Sequence, residues 1–278
     1  MSGVSQRVRS LTLPYAFLVV MAVLSAFPLV WIIISSVKPA SELASDPLSF
    51  FPSEVTFAHY GKVLFELGAL RNLGNSVIIA LATTVLTIAA STTGAYGIVR
   101  FFPRVGQKLT QLLISTYMFP PILLAVPYSV IMVSVGLANT YVGLVLVYLS
   151  FSIPYAIWML TAFYQTVPLE IEEAAQVDGA GKFRIFLTVA SPIVLPGIVA
   201  TAIYTFINSF NEFLYALLFI NSSDKMPISV ALYSLSGSEV LDWGAMMAAC
   251  VVIVVPSVVF FLLIQRHIAA GLSEGSVK

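Results

Sequence analysis

Two groups of residues in this sequence have types and spacings that could do chemistry. The first lies between Gln165 and Pro192, where the chain reads TVPLEIEEAAQVDGAGKFRIFLTVASP. Pro168 suits the first turn of a helix, and Glu170, Glu172 and Glu173 then fall at its positive end, where carboxylates complement exposed amides and the dipole. Ile171, Ala174 and Ala175 follow i, i+3, i+4 spacing, which predicts a small apolar face edged by Glu172, Glu173 and Asp178. Asp178-Gly179 reads as a helix stop, since glycine can take the left-handed conformation there. A second amphipathic helix is expected from Lys182 to Ala190, with Phe183, Phe186 and Leu187 on one side, until Pro192 breaks it. Such a helix-turn-helix could simply rest on lipid headgroups. Against that, a membrane-surface helix carries Lys and Arg on its polar face, whereas this first helix carries acids and no base, which suits a basic protein groove.

The second group is polar and aromatic. Tyr141, Tyr148, Ser152 and Tyr155, and then Tyr204, Asn208, Asn211 and Tyr215, each keep to one helical stripe by i+3, i+4 or i+7 steps. Tyrosine offers a ring face for stacking, and Asn, Ser and Tyr offer hydrogen bonds, a pairing suited to a polyhydroxylated ligand such as a sugar. The competing expectation is that Tyr141 and Tyr215 belong to an interfacial aromatic belt and that Asn and Ser only bond neighbouring helices. Glu212 stands inside an apolar stretch, where an ionisable residue is costly and usually functional, as a gate, a structural bond or a ligand contact. Other chemistry finds no footing. Cys250 has no second cysteine. His59 and His267 are far apart and form no metal pattern, and a lone loop histidine such as His59 seldom senses pH or binds a ligand. No catalytic constellation is expected, and no Gly-rich phosphate loop ending in Lys-Ser or Lys-Thr occurs, so any nucleotide chemistry belongs to a partner.

The elements that must position these residues follow from where charge is missing. The chain has 278 residues, 59% hydrophobic and 9% charged, against about 25% charged in a soluble domain. Thirteen basic and thirteen acidic residues cancel, and without a basic stripe nucleic-acid binding is excluded. No charge occurs from Ser10 to Val37, Asn72 to Val99, Leu109 to Leu169, Ile185 to Asn211, or Trp243 to Gln265. A span needs about 20 apolar residues, so the third window holds two, separated by a turn at Gly136-Leu137-Ala138-Asn139-Thr140. The expectation is an all-α integral membrane protein, one transmembrane domain over 1–278, with six transmembrane helices at about 13–37, 75–99, 109–135, 141–163, 193–219 and 244–264. The first span is too long for a signal peptide and reads as an uncleaved anchor. With the N-terminus inside, Arg7, Arg9, Arg100, Arg104, Lys108, Lys182, Arg184, Arg266 and Lys278 are cytoplasmic, against Lys38, Lys62, Arg71 and Lys225 outside, so both termini are expected to be cytoplasmic. That orientation makes 165–192 a cytoplasmic loop between helices 4 and 5. Prolines 28, 120, 121, 127, 154, 196 and 256 are expected to kink the spans, the Pro120-Pro121 pair most of all. Small residues at Ala89-Ala90, Gly94-Ala95 and Gly97 allow close packing. The outer segment from Lys38 to Arg71 is either an ordered cap on the membrane surface or a plain connection.

At Glu173-Ala174-Ala175, Gly179 and Val189-Ala190-Ser191-Pro192 the sequence resembles the permease subunits of bacterial ATP-binding-cassette importers. Ser191 departs from the Leu usual in that family. Asp178 and Ala180 around the glycine look like the carbohydrate (maltose/trehalose-type) branch. Asn211-Glu212-Phe213 and the tail from Gln265 to Lys278 are similar as well. The resemblance implies a translocation path for a sugar or small oligosaccharide, shared with a second homologous permease in the bacterial cytoplasmic membrane. It implies two cytoplasmic ATPase subunits that hold ATP and Mg, so that this chain has no cofactor and is no enzyme, and an extracytoplasmic solute-binding protein. In that reading Glu170, Glu172, Glu173, Ala174, Ala175, Asp178 and Gly179 couple to an ATPase cleft, the tail 265–278 enters the ATPase dimer interface, and Tyr148, Ser152, Tyr155, Tyr204, Asn208, Asn211 and Glu212 are candidates for the path. Importers of another polar solute, such as a glycerophosphate ester, remain an alternative, as does an ion-coupled secondary transporter. The latter should show inverted repeats or several mid-span acids, and only Glu212 is present.

Overall fold

The computed structural model describes residues 2–236 and 242–264, and side chains for 14–235 and 242–264; the tail 265–278 lies outside the described residues. Among those residues the fold is all helix and turn, with no strand. In chain order the helices are α1 (Ser2–Ser36), α2 (Ala40–Ser45), α3 (Ala58–Gly61, continued by a π turn at Lys62–Glu66), α4 (Ala69–Phe101), α5 (Pro103–Thr116), α6 (Pro121–Ser134) and α7 (Tyr141–Gln165). They continue with α8 (Leu169–Val177), α9 (Lys182–Ile185, followed by a π turn at Phe186–Ala190), α10 (Ser191–Ile193), α11 (Leu195–Asn211), α12 (Leu214–Phe219), α13 (Ile228–Ser236) and α14 (Trp243–Ile264). Among the described residues four stretches are long and apolar enough to cross a membrane: Pro14–Ser36, α4, α7 and α14. Two bent pairs bring the number to six if each is one span.

Those bent pairs correct the expectation of smooth third and fifth spans. The helix expected at 109–135 starts at Pro103 and divides into α5 and α6, which meet at 91°. Proline cannot donate to the helix ladder and pushes the residue before it out of the α region, so Pro120-Pro121 breaks the helix and starts the next one. The stretch Lys182–Ile193 meets α11 at 77°, just before Pro196. The span expected at 193–219 then breaks again, at Glu212, whose backbone is extended (φ −64°, ψ 131°). Pro28, Pro127, Pro154 and Pro256 stand inside continuous helices. The turn expected at 136–140 is present: Gly136 (φ 70°) and Asn139 (φ 56°) are left-handed, and the Thr140 hydroxyl accepts the Gly143 amide at 3.0 Å to cap α7.

The described residues divide into two compact units, those up to 69 with those in 232–253, and those in 70–231 with those from 254 to 264. In the first, the segment after α1 is an ordered cap rather than a bare loop. Lys38 is fully buried; its ammonium donates to the Ser49 carbonyl and hydroxyl and lies 5.2 Å from the centre of the Trp31 ring. Glu42 accepts from the Ser49 hydroxyl at 2.7 Å and from the Ser53 amide at 2.8 Å, and with the Ser53 hydroxyl these bonds hold its carboxyl below the usual range. His59 is buried, and its Nε2 donates to the Lys38 carbonyl at 2.9 Å. A Cβ at Gly244 would overlap its ring, so this histidine is a packing element. Lys62 pairs with Asp242 at 2.7 Å.

The second unit holds both groups of candidate residues. One of its cores joins Ile79, Leu144, Val147, Tyr148, Tyr215 and Phe219, and another joins Ala95, Tyr96, Leu160, Tyr164, Phe186 and Val194. Helices α7 and α11 come close where Gly197 faces the Phe163 ring, a place where an added Cβ would collide with ring carbons.

Candidate functional site: an anchored loop helix and an aromatic cavity

The acidic stretch forms α8 as expected, with Pro168 just ahead of the first turn. Its end is a Schellman cap. The Gly179 amide donates to the Gln176 carbonyl and the Ala180 amide to the Ala175 carbonyl, both at 2.9 Å, with Gly179 at φ +85°. This geometry satisfies carbonyls that the last turn would leave open. Glu170, Glu173, Ala174 and Asp178 are exposed and Ala175 is half-buried; Ile171 is 44% and Val177 89% exposed.

Glu172 is the correction. Expected on an outer acidic edge, it is 3% exposed and points inward. Its Oε1 accepts from Arg100 Nε at 2.8 Å and lies 2.7 Å from an Arg100 terminal nitrogen in an ion pair, and its Oε2 accepts from the Tyr96 hydroxyl at 2.8 Å. Arg100 also donates to the Val167 carbonyl at 2.8 Å. The following segment divides as well: Phe186 turns inward against Tyr96, with ring centres 5.0 Å apart, while Phe183 and Leu187 face outward.

The aromatic stripes meet because α7 packs on α11. They wall a cavity of about 320 Å³ that Tyr148, Ser152, Tyr204, Asn208 and Glu212 all line. Tyr155 stacks on Tyr204 at 4.1 Å, and the Tyr204 hydroxyl pairs with that of Tyr117 at 2.7 Å, giving a three-ring shelf. Asn211 does not join them: its side chain is exposed and bonds back to the Ile207 carbonyl at 2.8 Å. Glu212 is held by three donors. Tyr148 hydroxyl reaches Oε2 at 2.6 Å, and the amides of Tyr215 and Ala216 reach the carboxylate at 3.0 and 3.1 Å. The carboxylate therefore caps α12, and the Glu212 carbonyl accepts from the Ser229 hydroxyl at 2.8 Å, so the groups freed by the break are satisfied.

Sequence reasoning missed Tyr117, Phe151, Thr205 and Ser209 on the cavity wall, although the i, i+4, i+7 run Thr205, Ser209, Glu212 could have shown two of them. Tyr215 had two expectations, the polar stripe or an interfacial belt, and its burial does not fit the belt. Tyr215 is 2% exposed, stacks on Phe151 at 5.1 Å and donates to the Pro121 carbonyl at 2.6 Å, at the start of α6. Tyr141 donates to Asn75 Oδ1 at 2.8 Å. Thr205 is 1% exposed and its buried hydroxyl has no partner, an unused hydrogen-bonding group in the wall. Among the described residues no Lys, Arg or His lines the cavity. Among the described residues no group of three or more His, Cys, Asp or Glu is placed to hold a metal ion.

Residues 89–274 match the family described as binding-protein-dependent transport system inner membrane component. The chain belongs to that family. The permease is 37% identical over 257 residues to the trehalose transport system permease protein SugB of Mycobacterium tuberculosis, covering 90% of this chain and 92% of that one. It is 32% identical over 274 residues to the diacetylchitobiose uptake system permease protein NgcG of Streptomyces coelicolor, covering 97% and 90%. Its fold matches a chain of a bacterial ABC transporter involved in import of the acidic polysaccharide alginate, with TM-score 0.78, 18% identity and coverage of 96% and 98%. The permease is thus a multi-pass membrane subunit of an ABC importer, not an ion-coupled secondary transporter.

Proposed function

We propose that this permease forms, with a second homologous permease, the path of an ATP-driven importer for a neutral sugar or small oligosaccharide. The observation that carries the substrate class is the cavity: the Tyr117, Tyr148 and Tyr204 rings in its wall for the apolar face of a sugar ring, Ser152, Asn208 and the unpartnered Thr205 hydroxyl for sugar hydroxyls, and among the described residues no cation in the wall to favour an anionic solute. At about 320 Å³ it sits at the small end of ligand sites, which run from about 300 to 1,000 Å³. An oligosaccharide would therefore thread through it a ring or two at a time. The names of SugB and NgcG, which are transporters of trehalose and diacetylchitobiose, support the same class.

In this reading residues 165–192 and both termini are cytoplasmic, as the basic residues favour. The exposed face of α8 around Ile171, Glu173 and Ala174 docks on one of two ATPase subunits, which supply ATP and Mg. A binding protein delivers solute from outside. Nucleotide binding by the partners shifts the permease pair between inward- and outward-open states through its differential affinity for the two.

The test is to purify the assembled importer with its binding protein, identify the solute the binding protein retains, and measure uptake of that solute into proteoliposomes. A neutral sugar, imported only with ATP, is the expected result. Thr205→Val removes one hydrogen bond worth about 0.5–1.5 kcal/mol and should lower uptake about two- to tenfold. An anionic solute, or transport without the ATPase subunits, overturns the proposal.

A further inference from the structure

We infer that Glu172 is a transmission residue, which makes displacement of α8 into displacement of the end of α4. The inference rests on the reading of residues 165–192 as the coupling loop. Glu170, Glu173 and Asp178 of the same segment face outward and are open to a partner, whereas Glu172 is closed to one. One carboxylate takes two hydrogen bonds from α4, one from Arg100 Nε and one from Tyr96, and forms an ion pair with the Arg100 guanidinium. The Arg100 guanidinium, with its side chain 12% exposed, also holds the Val167 carbonyl, where the chain leaves α7 to enter α8. Tyr96 in turn packs on Phe186 and on Tyr164, with ring centres 5.0 and 5.5 Å apart. The end of α4, the exit of α7 and both halves of the loop therefore converge on one ion pair.

Separating such a pair leaves an uncompensated buried charge, which is strongly unfavourable, and its hydrogen bonds weaken steeply once their geometry is lost. A partner pressing on the outer face of α8 cannot slide that helix across α4; it must carry α4 with it. Docking and transmission thus occupy opposite faces of one short helix. A purely structural ion pair would hold the loop folded and leave the work done per nucleotide unchanged in every complex that assembles.

The test uses the whole importer in proteoliposomes, with ATPase co-purification and solute imported per ATP hydrolysed as separate readouts. Glu172→Gln removes the charge, Tyr96→Phe removes one hydrogen bond while keeping the ring, and Arg100→Lys keeps the charge but loses the fork that reaches both Glu172 and Val167. Complexes carrying Glu172→Gln are expected to retain their ATPases and to import about threefold less, or lower still, per ATP. Tyr96→Phe and Arg100→Lys should show smaller losses of the same kind. Glu173→Lys, on the outer face, should instead lose ATPase co-purification. Parental uptake per ATP in assembled Tyr96→Phe and Arg100→Lys complexes overturns the inference even if Glu172→Gln fails to fold. A folded Glu172→Gln chain that sheds its ATPases overturns it too, by making Glu172 a docking residue. If Glu173→Lys still binds the ATPases fully, the coupling-loop reading itself falls, independently of the Glu172 result.

Discussion

Replacing Gly179 isolates one energetic contribution, because a Cβ at that position meets nothing within 4 Å. The cost is conformational alone: at φ +85° an alanine sits in the left-handed region at about 1–2 kcal/mol. A β-branched valine is stiffer and costs more. The cheapest relief is to open the last turn of α8, giving up the two 2.9 Å capping bonds to Gln176 and Ala175. Since about 1.4 kcal/mol is a factor of ten, the opening equilibrium should shift roughly 5- to 30-fold in Gly179→Ala. Amide hydrogen exchange followed by mass spectrometry over residues 169–181 reads that shift directly. Exchange in peptides from α4, α7 and α11 should stay at parental rates. Gly179→Asn should lie nearest the parent, since asparagine tolerates this conformation best after glycine. Gly179→Val should exchange fastest and should lose uptake per ATP. If Gly179→Val is as protected as the parent and transports equally, the turn does not hold the loop helix in a working geometry, and the argument from strain fails.

Glu212→Gln keeps an acceptor but removes the charge that strengthens its three hydrogen bonds, a loss of about 1–2 kcal/mol at the cavity wall; uptake should fall while the ATPases stay bound, and unchanged uptake over the usable pH range would reduce Glu212 to a helix cap. Asp242 carries a pH signature. Burial pushes its carboxyl upward, but the Ala245 amide and Lys62 outweigh burial and hold it below its ordinary 3.8. Its contribution is therefore present above about pH 4 and lost as pH falls through the lowered value, while that of Lys62, raised above 10.5 by Asp242, is lost only as pH rises through the raised one. With side chains 44% and 34% exposed the pair is worth at most about 1 kcal/mol, so Asp242→Asn should lower Tm near pH 7 by no more than about 2–4 °C. A Tm difference that stays unchanged as the pH is taken down through the Asp242 titration would refute the assignment.

The spans were legible because a membrane suppresses charge: each charge-free window holds helix, and the left-handed residues Gly136, Asn139 and Gly179 sit where turns were expected. The tyrosine stripes on α7 and α11 were legible for the same reason that helices have faces. Burial of Glu172 was not. A carboxylate on a short amphipathic helix looks like a surface group, and its partner Arg100 lies 72 residues away, where it counted only as a basic residue flanking a span. The break at Glu212 was hidden by hydropathy, which runs on through Phe213–Phe219 and cannot tell a capped restart from a continuous helix. Likewise Pro120-Pro121 signalled a bend but not its 91° size, nor that the Tyr215 hydroxyl, 94 residues on, would bond the Pro121 carbonyl at the start of α6.

The fixed carboxylate of Glu212 has an electrical consequence. Moving one elementary charge through a membrane potential costs or releases about 2.3 kcal/mol per 100 mV. A neutral sugar, the proposed cargo, carries none, and Glu212, the one carboxylate among the described residues of the cavity wall, is tied by the Tyr148 hydroxyl and by the amides of the very helix it begins. If the cargo is as proposed, passage along this wall is electrically silent, and uptake should run alike in polarised and depolarised vesicles.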